Sequence, residues 1–205
     1  MSIATLVRSY GLTDFLPAVL KSYAWVDKIL VMNYRFNQVP PRKDETVFLT
    51  LPFKNVEVMS GEGLSQEGVF NTGLENLKNY DYIFIADNDE LITRADQQKL
   101  IDGLGGAEVG TCNLVDYKDV NNRYPLRGHH PAVIVKPHVR FYDVRCFSAQ
   151  QKYFPDVNMH HFGFAYKDLD WKFDWETKLA DEGFKNILCY PTVGCETPEE
   201  IRNLI

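Results

Sequence analysis

The sequence predicts an α/β domain with a mostly parallel central sheet flanked by helices. Three observations carry this. Apolar runs of strand length alternate with stretches of helical spacing from Ile3 to Leu104, the pattern of β-α-β units. Three of the helical stretches open on a candidate capping residue, Thr13, Ser65 and Thr93. The most apolar run, Tyr82-Ile83-Phe84-Ile85-Ala86, stops abruptly at Asp87-Asn88-Asp89-Glu90. A strand buried on both faces can be apolar throughout, but its end must return to solvent or to a site.

Taken in order, Ile3 to Val7 reads as a first buried strand. Thr13 is placed to cap a helix carrying Leu16, Val19, Leu20 and Tyr23, with Pro17 tolerated in its first turn. Lys28 to Met32 is a second strand, and the polar, Pro-rich stretch from Asn37 to Lys43 is a loop. Thr46 to Leu49 and Val56 to Met59 are shorter strand candidates. Ser65 leads a helix with Val69, Phe70, Gly73, Leu74 and Leu77 on one side, and Thr93 leads another through Leu100 and Leu104. Val109 to Val115 and Ala132 to Val135 are further strands. From Asp116 the regularity fades into a polar, aromatic and turn-rich stretch, a long loop of the kind that often carries function. Thr197-Pro198-Glu199-Glu200 has the residues of a helix start. The chain stops soon after, which raises the expectation of a domain cut from a longer polypeptide with further domains.

The 205 residues suffice for one sizeable domain. A net charge of -6 argues against a nucleic-acid binder held mainly by phosphate contacts. Cys112, Cys146, Cys189 and Cys195 form no C-x-x-C pair, so buried reduced thiols are expected. No signal peptide or transmembrane span is visible, and a cytoplasmic location is the default expectation.

Asp87 and Asp89, two positions apart on rigid backbone, form a pair that can grip a divalent cation. Carboxylate and amide oxygens suit Mg²⁺ and Mn²⁺, and such a cation holds substrate phosphates. In an open parallel sheet, ligands bind at the carboxyl ends of the strands, where these residues lie. The bland alternative is a solvated acidic turn. Glu90 belongs either to the site or to the turn that follows it.

The order of elements, together with Leu6-Val7-Arg8 before Asp14-Phe15-Leu16, Asn71-Thr72-Gly73, and Asp87-Asn88-Asp89-Glu90, resembles the glycosyltransferases of GT-A fold, family 2-like group. The last stretch looks like their D-x-D signature. The match is partial: Ser9-Tyr10 stands where Asn-Glu is common, and Phe70 where Arg is usual. His160-His161-Phe162-Gly163 adds a late His before a Gly.

The resemblance implies a single GT-A (nucleotide-diphospho-sugar transferase) domain over residues 1–205. Residues 1–95 would form the nucleotide-binding half and 96–205 the acceptor-binding half. It implies a metal-dependent transfer of a sugar from a nucleoside-diphosphate donor, a UDP-sugar, to a hydroxyl of a glycan acceptor, with Mn²⁺ or Mg²⁺ as cofactor. The metal ligands would be Asp87, Asp89 and His161, with His160 facing the other way if the segment is a strand. Thr5, Val7, Arg8, Asn33, Asn71, Gly73, Asp87 and Asn88 would contact the nucleotide-sugar. Gly73 and Asn71 serve equally well as helix packing. Arg123, Arg127, Lys136, Arg140 and Lys167 are cationic candidates for the diphosphate, and the aromatic stretch around Trp171 and Trp175 is a candidate sugar platform or core. An inverting enzyme needs a carboxylate base. Asp116, Asp143, Asp156 and Asp168 follow the D-x-D, and Asp156 is named because it lies closest to the metal His. Two alternatives stand beside this: a non-catalytic glycan- or nucleotide-binding module of the same fold, and a sugar-phosphate nucleotidyltransferase. The latter class usually carries a Gly-rich basic loop after its first strand, which Arg8 to Thr13 lacks.

Overall fold

The computed structural model describes residues 1–9, 13–34, 44–125, 128–143, 146–163, 165 and 192–205. The chain runs β1 (Ile3–Ser9), α1 (Leu16–Ser22), β2 (Lys28–Tyr34), α2 (Thr46–Thr50), β3 (Val56–Gly61), α3 (Gln66–Asn76), β4 (Tyr82–Asp87), β5 (Glu90–Leu91) and α4 (Arg94–Leu104). It continues as β6 (Val109–Asp119), β7 (Asn122–Arg123), β8 (Ala132–Val135), β9 (Phe141–Asp143), β10 (Cys146–Phe147), β11 (Gln151–His161), β12 (Val193–Gly194) and α5 (Glu199–Arg202).

The expected α/β architecture is present. β3, β2, β1 and β4 lie side by side in parallel, as β-α-β connections require. β8 then enters antiparallel between β4 and β6, and β11 runs parallel to β6 on its other edge. β1 divides the core by alternation. Ile3 and Val7 join the helices α1 and α4 through Leu16, Val19, Leu20, Leu100 and Leu104. Ala4 and Leu6 face α3 through Val69, Phe70 and Leu74. A Cβ at Gly73 would stand 2.3 Å from Leu6 Cδ1, so glycine lets α3 lie directly on β1.

Ser65 and Thr93 cap their helices as expected, accepting from the N–H groups of Gly68 and Asp96. Thr13 does not: Phe15 occupies the N-cap of α1 and makes no side-chain bond. Thr46 to Thr50 is a helical turn rather than a strand. Asp44 accepts from the Thr46 N–H at 2.9 Å, an Asx-type turn that starts the helix before any strand can pair. The Thr197 hydroxyl donates to the Val120 carbonyl instead of capping α5.

β11 is the strand that the sequence reading did not delimit. Its rungs on β6 run from Gln151–Val109 to Phe154–Cys112, then resume at Asn158–Asn113, so Pro155, Asp156 and Val157 form a bulge. The bulge is held from both sides. Asn113 Nδ2 donates to the Pro155 carbonyl at 2.9 Å, and the Asn158 N–H reaches Asp96 Oδ2 at 3.4 Å.

Cys112, Cys146 and Cys195 are free thiols, but only Cys112 is buried and Cys146 is exposed, which corrects that expectation. Cys189 lies outside the described residues, as do Arg127, Lys167, Asp168, Trp171 and Trp175. Among the described residues no helix is long and apolar enough to cross a membrane.

Candidate active site

The site is built where β1, β4 and β11 end, beside Asp116 of β6. β1 and β4 are in register through Arg8–Asp87, so these two side chains leave neighbouring strands on the same face. Arg8 Nε donates to Asp87 Oδ1 at 2.8 Å and Nη2 to Oδ2 at 2.7 Å, a two-bond fork-to-carboxylate pair. Nη1 donates to Gln66 Oε1 at 2.6 Å, and the guanidinium stacks 4.7 Å from the Phe70 ring centroid. The side chains of Arg8 and Asp87 are only 4% and 12% exposed.

Beyond Asp87 the chain turns sharply. Glu90 Oε2 accepts the Asp87 N–H at 2.7 Å, and the Asn88 N–H donates to the Arg8 carbonyl at 3.0 Å. Glu90 is thus part of the turn. β5 pairs antiparallel with the end of β11, Glu90 opposite His161 and Leu91 opposite His160, and the Phe162 N–H donates to the Asp89 carbonyl. This join brings β11 to the acidic turn.

The two histidines face opposite ways. His160 is buried, with Nδ1 at 2.9 Å from the Tyr117 hydroxyl, and burial pushes its pKa down to about 4. His161 lies opposite Asp116 in the β6–β11 register. Its Nδ1 is 2.5 Å from Asp116 Oδ1, and its Nε2 is 3.8 Å from Asp89 Oδ1. Asp89 is 5% and Asp116 1% exposed, so both carboxylates are buried beside one imidazole. The sequence offers Asp116 as a candidate base; the structure places it beside His161.

One carboxylate oxygen and one imidazole nitrogen facing each other fit a Mn²⁺-type cation. Among the described residues no three His, Cys, Asp or Glu side chains converge on one point. Among the described residues, Asp89 and His161 are the side chains that would hold such a cation, and positions beside them would suit water or substrate oxygens.

The other expected residues have these surroundings. Asp87, expected to share the metal, has both oxygens engaged by Arg8. Arg8, expected to line a nucleotide pocket, is turned into that pair. Thr5 and Val7 are not at a strand end: β1 continues to Ser9, Val7 packs in the core, and the buried Thr5 hydroxyl has no hydrogen-bond partner among the described residues. Asn71 makes a two-way amide contact with one residue of β9, donating to the Phe141 carbonyl at 2.7 Å and accepting from its N–H at 2.9 Å. Gly73 is accounted for by its contact with Leu6.

Asp156, named as a base, sits in the bulge with its side chain 71% exposed and Lys99 Nζ 4.0 Å away. It lies five positions before His161, about 16 Å of extended strand. Among the cationic candidates, Lys136 lies over the Tyr82 ring and its N–H donates to the Glu108 carbonyl, at the opposite end of the sheet. Arg140 pairs with Glu75.

Asn33 remains at the end of β2 in register with Ser9 and Ser60. Its Nδ2 donates to Asp44 Oδ2 at 2.7 Å, while the buried Oδ1 has no partner among the described residues. Asn88 is fully buried in the acidic turn.

With strand order β3-β2-β1-β4 flanked by helices and a polar cluster at the carboxyl edge, the chain has a nucleotide-sugar-transferase-like, GT-A-like fold. Staphylococcus aureus TarS 1-349 in complex with UDP-GlcNAc is similar to it with a TM-score of 0.56 at 13% identity, over 89% of this chain and 66% of that one. The same protein in complex with UDP gives 0.52 at 12% identity, over 89% of this chain and 65% of that one. HddC from Yersinia pseudotuberculosis complexed with GMP-PN gives 0.55 at 10% identity, over 87% of this chain and all of that one. The chain thus spans just under two thirds of the TarS fragment. No protein-family model and no curated protein matches the sequence.

Proposed function

We propose that this domain is a metal-dependent glycosyltransferase that moves a sugar from a nucleoside-diphosphate donor, UDP-linked, to a hydroxyl of a glycan acceptor. The carrying observation is the facing pair of Asp89 and His161 Nε2, 3.8 Å apart and shielded from solvent at the carboxyl edge of the sheet. The likeness to TarS in complex with UDP-GlcNAc supports the choice of donor. Bound between these two groups, Mn²⁺ or Mg²⁺ would offset the charge that builds on the departing nucleoside diphosphate.

The chain's own residues prepare that site. Arg8 fixes Asp87, Glu90 closes the turn, and Asp89 is held at its tip by the β5–β11 join. Asn33, with its amide nitrogen committed to Asp44, offers a buried acceptor at the end of β2 for a donor group on the base.

The test is a calorimetric titration of UDP with Mn²⁺ and then with EDTA, followed by donor-sugar turnover of wild type and Asp89→Ala. Metal-dependent binding and loss of turnover in the variant are expected, since removing a metal clamp costs several kcal/mol. Turnover of the variant within about threefold of wild type would refute the metal role of Asp89.

The likeness to HddC, whose whole length is covered, favours a second reading as a sugar-phosphate nucleotidyltransferase. Release of pyrophosphate from a nucleoside triphosphate and a sugar phosphate, without sugar transfer, would select it.

A further inference from the structure

We infer that Asp116 is a positioning residue that sets which nitrogen of His161 is offered to a metal. This rests on the metal-dependent reading above and adds a residue that it did not contain. Asp116 lies near the middle of the 11-residue β6, and His161 ends β11, directly opposite it in register. Their contact, Nδ1 to Oδ1 at 2.5 Å, is made by two side chains that are 14% and 1% exposed.

A carboxylate that accepts from the ring places the hydrogen between them on Nδ1. The neutral ring then carries its lone pair on Nε2, the nitrogen turned toward Asp89. A neutral imidazole can ligate a cation only through such a lone pair, and a carboxylate on the other nitrogen fixes ring and tautomer together. Asp116 is anchored in turn by its main chain: its carbonyl accepts the Tyr124 N–H at 2.9 Å, beyond the β7 turn. Asp116 therefore acts through His161.

The test uses the whole chain as wild type, Asp116→Asn and Asp116→Ala, with His161→Gln to assign the ring signals. The first readout is the imidazole tautomer of His161 in metal-free protein at pH 8, from long-range ¹⁵N–¹H correlation spectra. The proton is expected on Nδ1 in wild type. In Asp116→Asn a substantial share should move to Nε2, because the amide can donate to Nδ1. The second readout is Mn²⁺ affinity by water-proton relaxation, expected to fall about 10- to 100-fold in both variants. Circular dichroism and the His160 ring signals report whether each variant is folded.

A proton on Nε2 in wild type overturns the inference. So does Mn²⁺ affinity in folded Asp116→Asn within about threefold of wild type. If wild type binds no Mn²⁺ while the Nδ1 tautomer is lost in the variants, the metal reading fails and the positioning of His161 by Asp116 stands.

Discussion

Replacing Arg8 by methionine should be the most costly single change at the carboxyl edge of the sheet. The guanidinium makes two hydrogen bonds to Asp87, at 2.8 and 2.7 Å, and a third to Gln66. With 4% and 12% of the two side chains exposed, water screens the pair little. Removing one partner of a buried ion pair costs about 3–5 kcal/mol, because the other charge stays buried. Methionine keeps an apolar chain against Phe70, so lost packing adds little. Against a total stability of about 5–15 kcal/mol for a domain, the loss is a large fraction. Urea unfolding followed by circular dichroism, at equal slope for wild type and variant, gives the difference directly. Arg8→Met with Asp87→Leu should recover most of the loss, since apolar replacement of both partners is often neutral. A single-variant cost below about 1 kcal/mol would place the pair in the class of solvated surface bridges and refute the reasoning.

Gly73→Ala should destabilise by roughly 1–3 kcal/mol in the same unfolding assay through overpacking against Leu6, although alanine is the better helix former. Asn71→Leu should cost about 1–3 kcal/mol by leaving the Phe141 N–H and carbonyl without the amide, with donor affinity by calorimetry unchanged. Folded His160 titrates near 4, below its unfolded value of 6.5, so the unfolded chain binds more protons between these values. Its contribution should be complete above about pH 6.5 and fall by roughly 3 kcal/mol as pH drops toward 4. Stability measured against pH should lose that part of its slope in His160→Gln.

Much of the fold was legible because local signals agreed. The strands β1, β2, β4, β6 and β8 are apolar runs, and α3 and α4 begin at residues whose side chains bond their first turns. The acidic turn after β4 was legible because carboxylates interrupt the longest apolar run. What stayed hidden depends on partners distant in sequence. Nothing near Arg8 announces Asp87, 79 residues away, and nothing near Asp116 announces His161, 45 residues away. Asn71 and Gly73 sit in a family-like motif, yet their surroundings show packing that only the neighbouring strands define. β11 escaped because Pro155 and its many polar residues resemble a loop, and because its pairing is interrupted.

That interruption sets the geometry of the acidic turn. Had β11 continued from Phe154 without extra residues, one-to-one pairing would carry His161 to the level of Asp119, on the other face of β6. The three surplus residues act as slack. They draw the histidine back by about 10 Å of strand, and because their number is odd they also invert the alternation. Distance and facing are thus corrected by one device, located away from the groups it serves. Variation in the length of segment 155–157 would therefore act on the facing of Asp89 and His161 without altering either residue.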